Sequence, residues 1–132
     1  MEKFIFKNDN GTCSAALDIN GENVCLCKID YSADSTWTVS SWYTEKSFCN
    51  KGYGRKTMEF LLRNMVSLLG LPSEVNYIWN GKNQYVFDWM ERNFDAVSSC
   101  PLAVQKNQSD DDWESHVYVL SRNKFLSYFE LL

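Results

Sequence analysis

The stretch SFCNKGYGRKTMEFLLRNM, residues 47–65, decides how the chain is to be read. It opens on two glycines, Gly52 and Gly54, set among Lys51, Arg55 and Lys56. From Lys56 onward, Met58, Leu61, Leu62, Met65, Leu68 and Leu69 recur at the spacing of one α-helical face. Gly70 supplies a C-terminal cap and Pro72 a stop. Upstream, TWTVSSWYT is rich in β-branched and aromatic residues and predicts a strand over Thr36–Thr44. Downstream, EVNYIW predicts another over residues 74–79. A strand, a helix and a strand in succession need a crossover, so these two strands are expected to be parallel neighbours.

Outside this unit the chain alternates. Lys3 to Lys7 predicts a first strand. TCSAALDINGENVCLCKID, residues 12–30, predicts a hairpin turning at Asn20-Gly21, because both turn residues must tolerate positive φ. Cys13, Ala15 and Leu17 share one face, and Val24 and Leu26 are expected to supply the matching stripe on the partner strand. NGKNQYVFDWMERNF predicts a second helix over residues 80–94, with Asn80 or Asn83 as its N-cap and Val86, Phe87, Trp89 and Met90 available for burial. Strands near Ala96–Val104 and Ser115–Leu120 follow, separated by the acidic loop NQSDDDWE. The tail NKFLSYFELL reads as a short docked segment. The fold class is α+β: a mixed sheet of about seven strands in the order β-β-β-β-α-β-α-β-β, with an antiparallel N-terminal meander and one parallel pair. A chain of 132 residues suits a single domain, here residues 1–132.

Composition narrows the function classes. Net charge is −4 and the pI about 4.9, whereas a general nucleic-acid binder is basic, so that class is not expected; a cationic or amine-bearing partner fits better. No apolar run approaches the ~20 residues that span a bilayer, so no membrane partner is expected. MEKFIFKNDNG lacks the apolar core of a signal peptide. Five cysteines, an odd number without CxxC spacing, predict neither a disulfide framework nor a zinc site; Cys25 and Cys27 read as small buried thiols on one strand face. A reducing, cytoplasmic location follows, with no metal.

The glycines must be weighed against phosphate-binding loops. A Walker A loop fails, because Asn50 and Arg55 stand where its two glycines are required. The dinucleotide fingerprint fails at Thr57, where its third glycine belongs. A third pattern has Arg or Gln, two residues, Gly, one residue, then Gly or Ala, between a strand and a helix. Cys49-Asn50-Lys51-Gly52-Tyr53-Gly54 matches it except at Cys49. Backbone N–H groups at such a helix start form an anion nest, and glycines let a pyrophosphate approach. NQYVFDWMERNF also looks like a second signature, with Asn83 and Phe94 at its ends and Val86 at a small-residue position. In these features the chain resembles the GNAT acetyltransferase superfamily, from about Thr36 to Phe94.

The resemblance implies acetyl-CoA as cosubstrate and an amine acceptor, either a small molecule or a peptide, that attacks the thioester directly. It implies cofactor contacts from Cys49, Asn50, Lys51, Gly52, Tyr53, Gly54, Arg55, Lys56 and Asn83, and backbone hydrogen bonds from Trp42, Tyr43 and Thr44 at a cleft beside the parallel pair. Two departures stand out. Cys49 replaces the usual Arg or Gln. The family's proton-donating tyrosine aligns with Trp89 or Met90, neither of which can protonate a thiolate. Glu45 is then a candidate general base, Tyr85 a substitute acid, and Cys100 a proton donor or acyl carrier. His116, alternating with Glu114 and Tyr118 on the last strand, is a further base candidate, and Asp110, Asp111 and Asp112 could attract a cationic acceptor. Each also has an ordinary reading as a solvated or packed residue. The alternative function is a non-catalytic CoA-binding or protein-interaction module on the same fold. From sequence alone, Gly54→Val is expected to abolish cofactor binding while leaving the fold mostly intact.

Overall fold

The computed structural model describes residues 1–79, 84–98 and 116–132. The chain divides into two compact units, Met1–Pro72 and Ser73–Leu132.

The first unit is an antiparallel meander under one long helix. Strands β1 (Glu2–Asp9), β2 (Thr12–Ile19), β3 (Glu22–Tyr31) and β4 (Thr36–Thr44) pair in sequence order. Asn20 and Gly21 adopt the positive φ expected of the β2–β3 turn, and Asn10 and Gly11 do the same between β1 and β2. A 3-10 turn, Lys46–Phe48, follows β4, and α1 then runs over Tyr53–Leu69. Met58, Leu61, Leu62 and Met65 are fully buried, as the period predicts, whereas Leu68 and Leu69, expected on the same face, are 57% and 41% exposed in the last turn. Gly70, at φ 80°, ends the helix and donates its N–H to the Val66 carbonyl.

The stripe on β3 differs from expectation. Cys27 lies opposite Ala15 and Ile29 opposite Cys13, so Cys25, Cys27 and Ile29 face α1, and Leu26 points to the other side. The two-residue turn sets the register, and a bulge at Val24 then inserts one residue. A slip of one residue reverses every side chain beyond it. Cys13, Cys25 and Cys27 are therefore core residues, as is Trp37.

In the second unit, β5 (Glu74–Trp79) and β6 (Val97–Ser98) pair antiparallel with opposite edges of β7 (His116–Leu120). Helix α2 spans Gln84–Phe94. Both candidate N-caps, Asn80 and Asn83, lie outside the described residues, as does the predicted strand beyond Ser98. The tail is docked, as expected, and its docked part is a helix, α3 (Arg122–Tyr128). Ser121 caps it by accepting a hydrogen bond from the Lys124 N–H at 3.3 Å. Phe125, Leu126 and Phe129 are fully buried and build an aromatic core with Phe94. No helix among the described residues is long and apolar enough to cross a membrane.

Candidate functional site

The site is built where β4 hands over to α1. Lys28 lies opposite Ser41 and Ile29 opposite Val39, which leaves Ser40 as the extra residue of a bulge in β4. Bulges add twist and re-aim the residues that follow. Two serines, Ser40 and Ser41, inside a strand of aromatic and β-branched residues are its sequence trace. Beyond the bulge, Trp42 and Thr44 turn toward α1, and Tyr43 toward the other face, where it is 59% exposed.

Asn50 and Gly52 then both take left-handed conformations, at φ 63° and 82°. Asn and Gly are the residues that tolerate this region, so the segment between the 3-10 turn and α1 can reverse sharply. Helix α1 starts at Tyr53, three residues before Lys56, where the apolar period begins; Gly54 is therefore helical. A Cβ at Gly54 would stand 3.1 Å from Thr44 Oγ1 and 3.4 Å from Trp42 Nε1. Glycine is required there first by close packing of helix on strand. At Gly52 no atom lies within 4 Å of an added Cβ, and only the positive φ selects glycine.

Electrostatics at this helix end run against the usual pattern. The first N–H groups of any helix lack an intrahelical partner and carry the positive end of its dipole. Such ends normally attract an Asp, Glu or Ser cap. Here no side chain caps the helix and no acidic residue stands in the first turn, which instead carries Arg55 and Lys56. Lys51 Nζ lies 5.8 Å from the Phe48 ring centre and Lys56 Nζ 5.9 Å from that of Tyr53, cation–π distances that keep both ammonium groups beside the loop. A cluster of cations on a positive helix end is unfavourable by itself and favourable with an anion bound.

Trp42 fastens strand to loop: its Nε1–H donates to the Gly54 carbonyl at 3.1 Å. Trp42→Phe keeps the ring and loses the donor. It should cost about 0.5–1.5 kcal/mol in urea denaturation; an unchanged midpoint would show that this bond contributes nothing. Below, Cys25 Sγ lies 3.5 Å from Thr44 Oγ1, and buried Thr57 donates to the Tyr53 carbonyl at 2.8 Å. The hydrogen bond with Cys25 and then burial push the Cys27 thiol up, so Cys27 is a neutral packing residue.

Cys49, in the place of the usual Arg or Gln, turns its thiol back toward the Thr44 and Glu45 carbonyls, 3.6 Å from each. Glu45 accepts a hydrogen bond from the Tyr43 hydroxyl at 3.3 Å. Its carboxylate is the main reason that the Tyr43 phenol is held above its ordinary value. The two form a carboxylate–phenol pair on the exposed side of β4. The fold therefore brings together Trp42, Tyr43, Thr44, Glu45 and Cys49 through Lys56.

The remaining candidates are placed differently. Met90 is buried, and Trp89 packs edge-on against Phe94 and Tyr128, at 5.2 and 5.9 Å between ring centres. Tyr118 is buried, which raises its phenol. Tyr85 and His116 sit in α2 and β7, but their side chains lie outside what is described. Asn83, Cys100, Asp110, Asp111, Asp112 and Glu114 fall outside the described residues.

No family model matches the chain, and no curated protein sequence matches it. Solved structures do. A PaiA N-acetyltransferase from Thermoplasma acidophilum, in complex with coenzyme A, aligns over 83% of this chain at 11% identity with a TM-score of 0.58. A GNAT-family acetyltransferase from Staphylococcus aureus Mu50 aligns over 83% at 13% identity and a TM-score of 0.61. N-acetylglutamate synthase from Neisseria gonorrhoeae, complexed with coenzyme A and N-acetylglutamate, aligns over 82% at 14% identity and 0.55. The chain spans 60%, 67% and 25% of these three proteins respectively, so each of them carries structure that this chain does not match. Identities this low establish architecture alone, and that architecture is the α+β mixed-sheet class expected from the sequence. The chain has the fold of the GNAT acetyltransferase superfamily.

Proposed function

We propose that the chain binds acetyl-CoA at the loop between β4 and α1 and transfers its acetyl group to an amine. The observation that carries this reading is the uncapped start of α1, where Arg55 and Lys56 occupy a first turn that holds no acid. A pyrophosphate would receive the first-turn N–H groups and be flanked by Lys51, Arg55 and Lys56, turning an unfavourable charge cluster into a binding site. The family's solved members include proteins held with coenzyme A, which supports the same cosubstrate.

Bound acetyl-CoA supplies an activated thioester. The chain's own residues then have three tasks. Gly52, Tyr53 and Gly54 hold the phosphates through backbone N–H groups. The backbone of Trp42, Tyr43 and Thr44 orients the arm and can polarise the carbonyl. Glu45, joined to Tyr43, takes the proton of the attacking amine, directly or through water. Holding both substrates in place supplies much of the rate. Tyr85 and Cys100 remain candidates to protonate the departing thiolate. The same reading takes residues 1–132 as one acetyltransferase domain with a cytoplasmic location.

A second reading, a CoA-binding module without turnover, draws on Trp89. The family's acid aligns with Trp89 or Met90; Trp89 has no transferable proton of suitable acidity and is packed into an aromatic cluster, and Met90 is buried and has none. Thermal unfolding with added acetyl-CoA tests what the two readings share. Ligand at a hundred times its Kd should add ~2.7 kcal/mol. No shift with millimolar acetyl-CoA or CoA would sink both. Free-thiol release across a panel of amines then separates enzyme from module.

A further inference from the structure

Strand β1 ends the sheet: among the described strands it pairs with β2 alone, over the whole of Glu2–Asp9 and without a shift in register. A strand in that place leaves one row of N–H and C=O groups open to another chain, and proteins usually blunt it with a proline, a bulge or an inward-pointing charge. β1 has no proline and no bulge, and no charge stands on its α1 face from Phe4 to Asn8. Phe4 on that face stacks on Phe60 of α1 at 5.1 Å between ring centres. Even so, Phe4, Ile5 and Phe6 are each only half-buried.

The turn after β1 decides which backbone groups are open. Asp9 and Thr12 flank the two-residue turn Asn10-Gly11, and such a flanking pair exchanges both of its backbone bonds. In keeping with this phase, the Gly11 carbonyl points the other way and accepts the Tyr31 N–H at 2.8 Å. Alternation then aims Lys3, Ile5, Lys7 and Asp9 at β2 and turns the backbone of Phe4, Phe6 and Asn8 outward. A second copy added antiparallel about a two-fold axis must set some residue opposite itself, because hydrogen-bonded and non-hydrogen-bonded pairs alternate. Centred on Ile5, the pairing sets Lys3 against Lys7 at both ends. Centred on Lys7, it sets that lysine against its own copy. Centred on Phe4, it leaves Asn8 and Asp9 beyond the pairing, and centres nearer either end shorten it further. Centred on Phe6, it pairs residues 3–9, sets Phe6 beside its copy and places Lys3 opposite Asp9 of the second copy, at both ends. Lys3 then stands between that Asp9 and Asp18 of its own chain. Opposite charges face to face favour an antiparallel pair, and like charges oppose it. We infer that β1 is the interface for a second copy of this chain, joined antiparallel about Phe6 so that two sheets become one.

Sedimentation of wild type from about 10 μM to about 1 mM should show a concentration-dependent dimer. Lys3→Glu sets two carboxylates face to face at each end and should raise the dimer Kd by about fivefold or more. Adding Asp9→Lys to that variant reverses both ion pairs and should restore the wild-type Kd. Asn8→Pro removes an outward N–H and leaves the bonds to β2 in place, so it should weaken the dimer with the far-ultraviolet circular dichroism unchanged; it carries the test if the glutamate variant does not fold. Wild type that stays monomeric over the whole range overturns the inference. An unchanged Kd in both Lys3→Glu and Asn8→Pro places any dimer contact elsewhere and overturns it too. A tighter dimer in Lys3→Glu identifies the Ile5-centred pairing, in which Glu would meet Lys7, and overturns the Phe6 register.

Discussion

Gly54→Val should lose coenzyme A binding and also lose about 1–3 kcal/mol of stability, the usual cost of overpacking. The sequence alone suggested a variant that blocks the ligand and spares the fold. The structure changes that expectation, because a Cβ at this position already stands 3.1 Å from Thr44 Oγ1 and 3.4 Å from Trp42 Nε1. Two further methyl groups force helix and strand apart, and the Trp42 bond to the Gly54 carbonyl goes with them. Urea denaturation reads the stability term and calorimetric titration the affinity. Gly52→Ala is the informative companion. Nothing crowds its Cβ, so the left-handed φ of 82° alone should cost roughly 1–2 kcal/mol. Gly52→Asn should recover part of it, since Asn tolerates this region. If Gly54→Val keeps wild-type stability, strand–helix contact is not what selects glycine there.

Phe94→Ala should be more damaging to the fold, at about 3–5 kcal/mol. Phe94 is fully buried, with edge-on rings at 5.2 Å from Trp89, 5.3 Å from Phe125 and 5.4 Å from Tyr128. Its carbonyl also accepts the Ser121 N–H at 2.7 Å, just where α3 begins. Removing the ring opens a cavity at the meeting point of α2 and α3 and frees Trp89 of a wall. The denaturation midpoint should fall with the slope unchanged. A loss under about 1 kcal/mol would mean that the pocket collapses without penalty, and that this cluster is not the core of the second unit.

Much of this was legible in the sequence because it depends on local periodicity. The face of α1, the Asn20-Gly21 turn, the order of the strands and the glycine pattern between Cys49 and Gly54 are all written within short windows. Where local signals stop, expectation and structure part. The start of α1 lies at Tyr53 because a glycine in the first turn is tolerated where packing on Thr44 demands it, which no helix period can reveal. The β3 stripe is Cys25, Cys27 and Ile29 because a single bulged residue, Val24, inverts the faces beyond it. The tail is helical because Phe125, Leu126 and Phe129 find a core to enter, and Ser121 caps its start.

The sequence by itself determined most element types and the glycine-rich, cation-bearing loop before α1, since hydrophobic period, turn chemistry and charge are properties of neighbours along the chain. Only the tertiary structure decided which task each glycine has, that Cys49 turns away from the loop mouth, that Trp89 is locked among rings, and that Asn76 hides an acceptor without a donor. Those depend on what residues distant in sequence leave in contact or leave unpaired, and burial without a partner becomes visible only once the chain has closed around it.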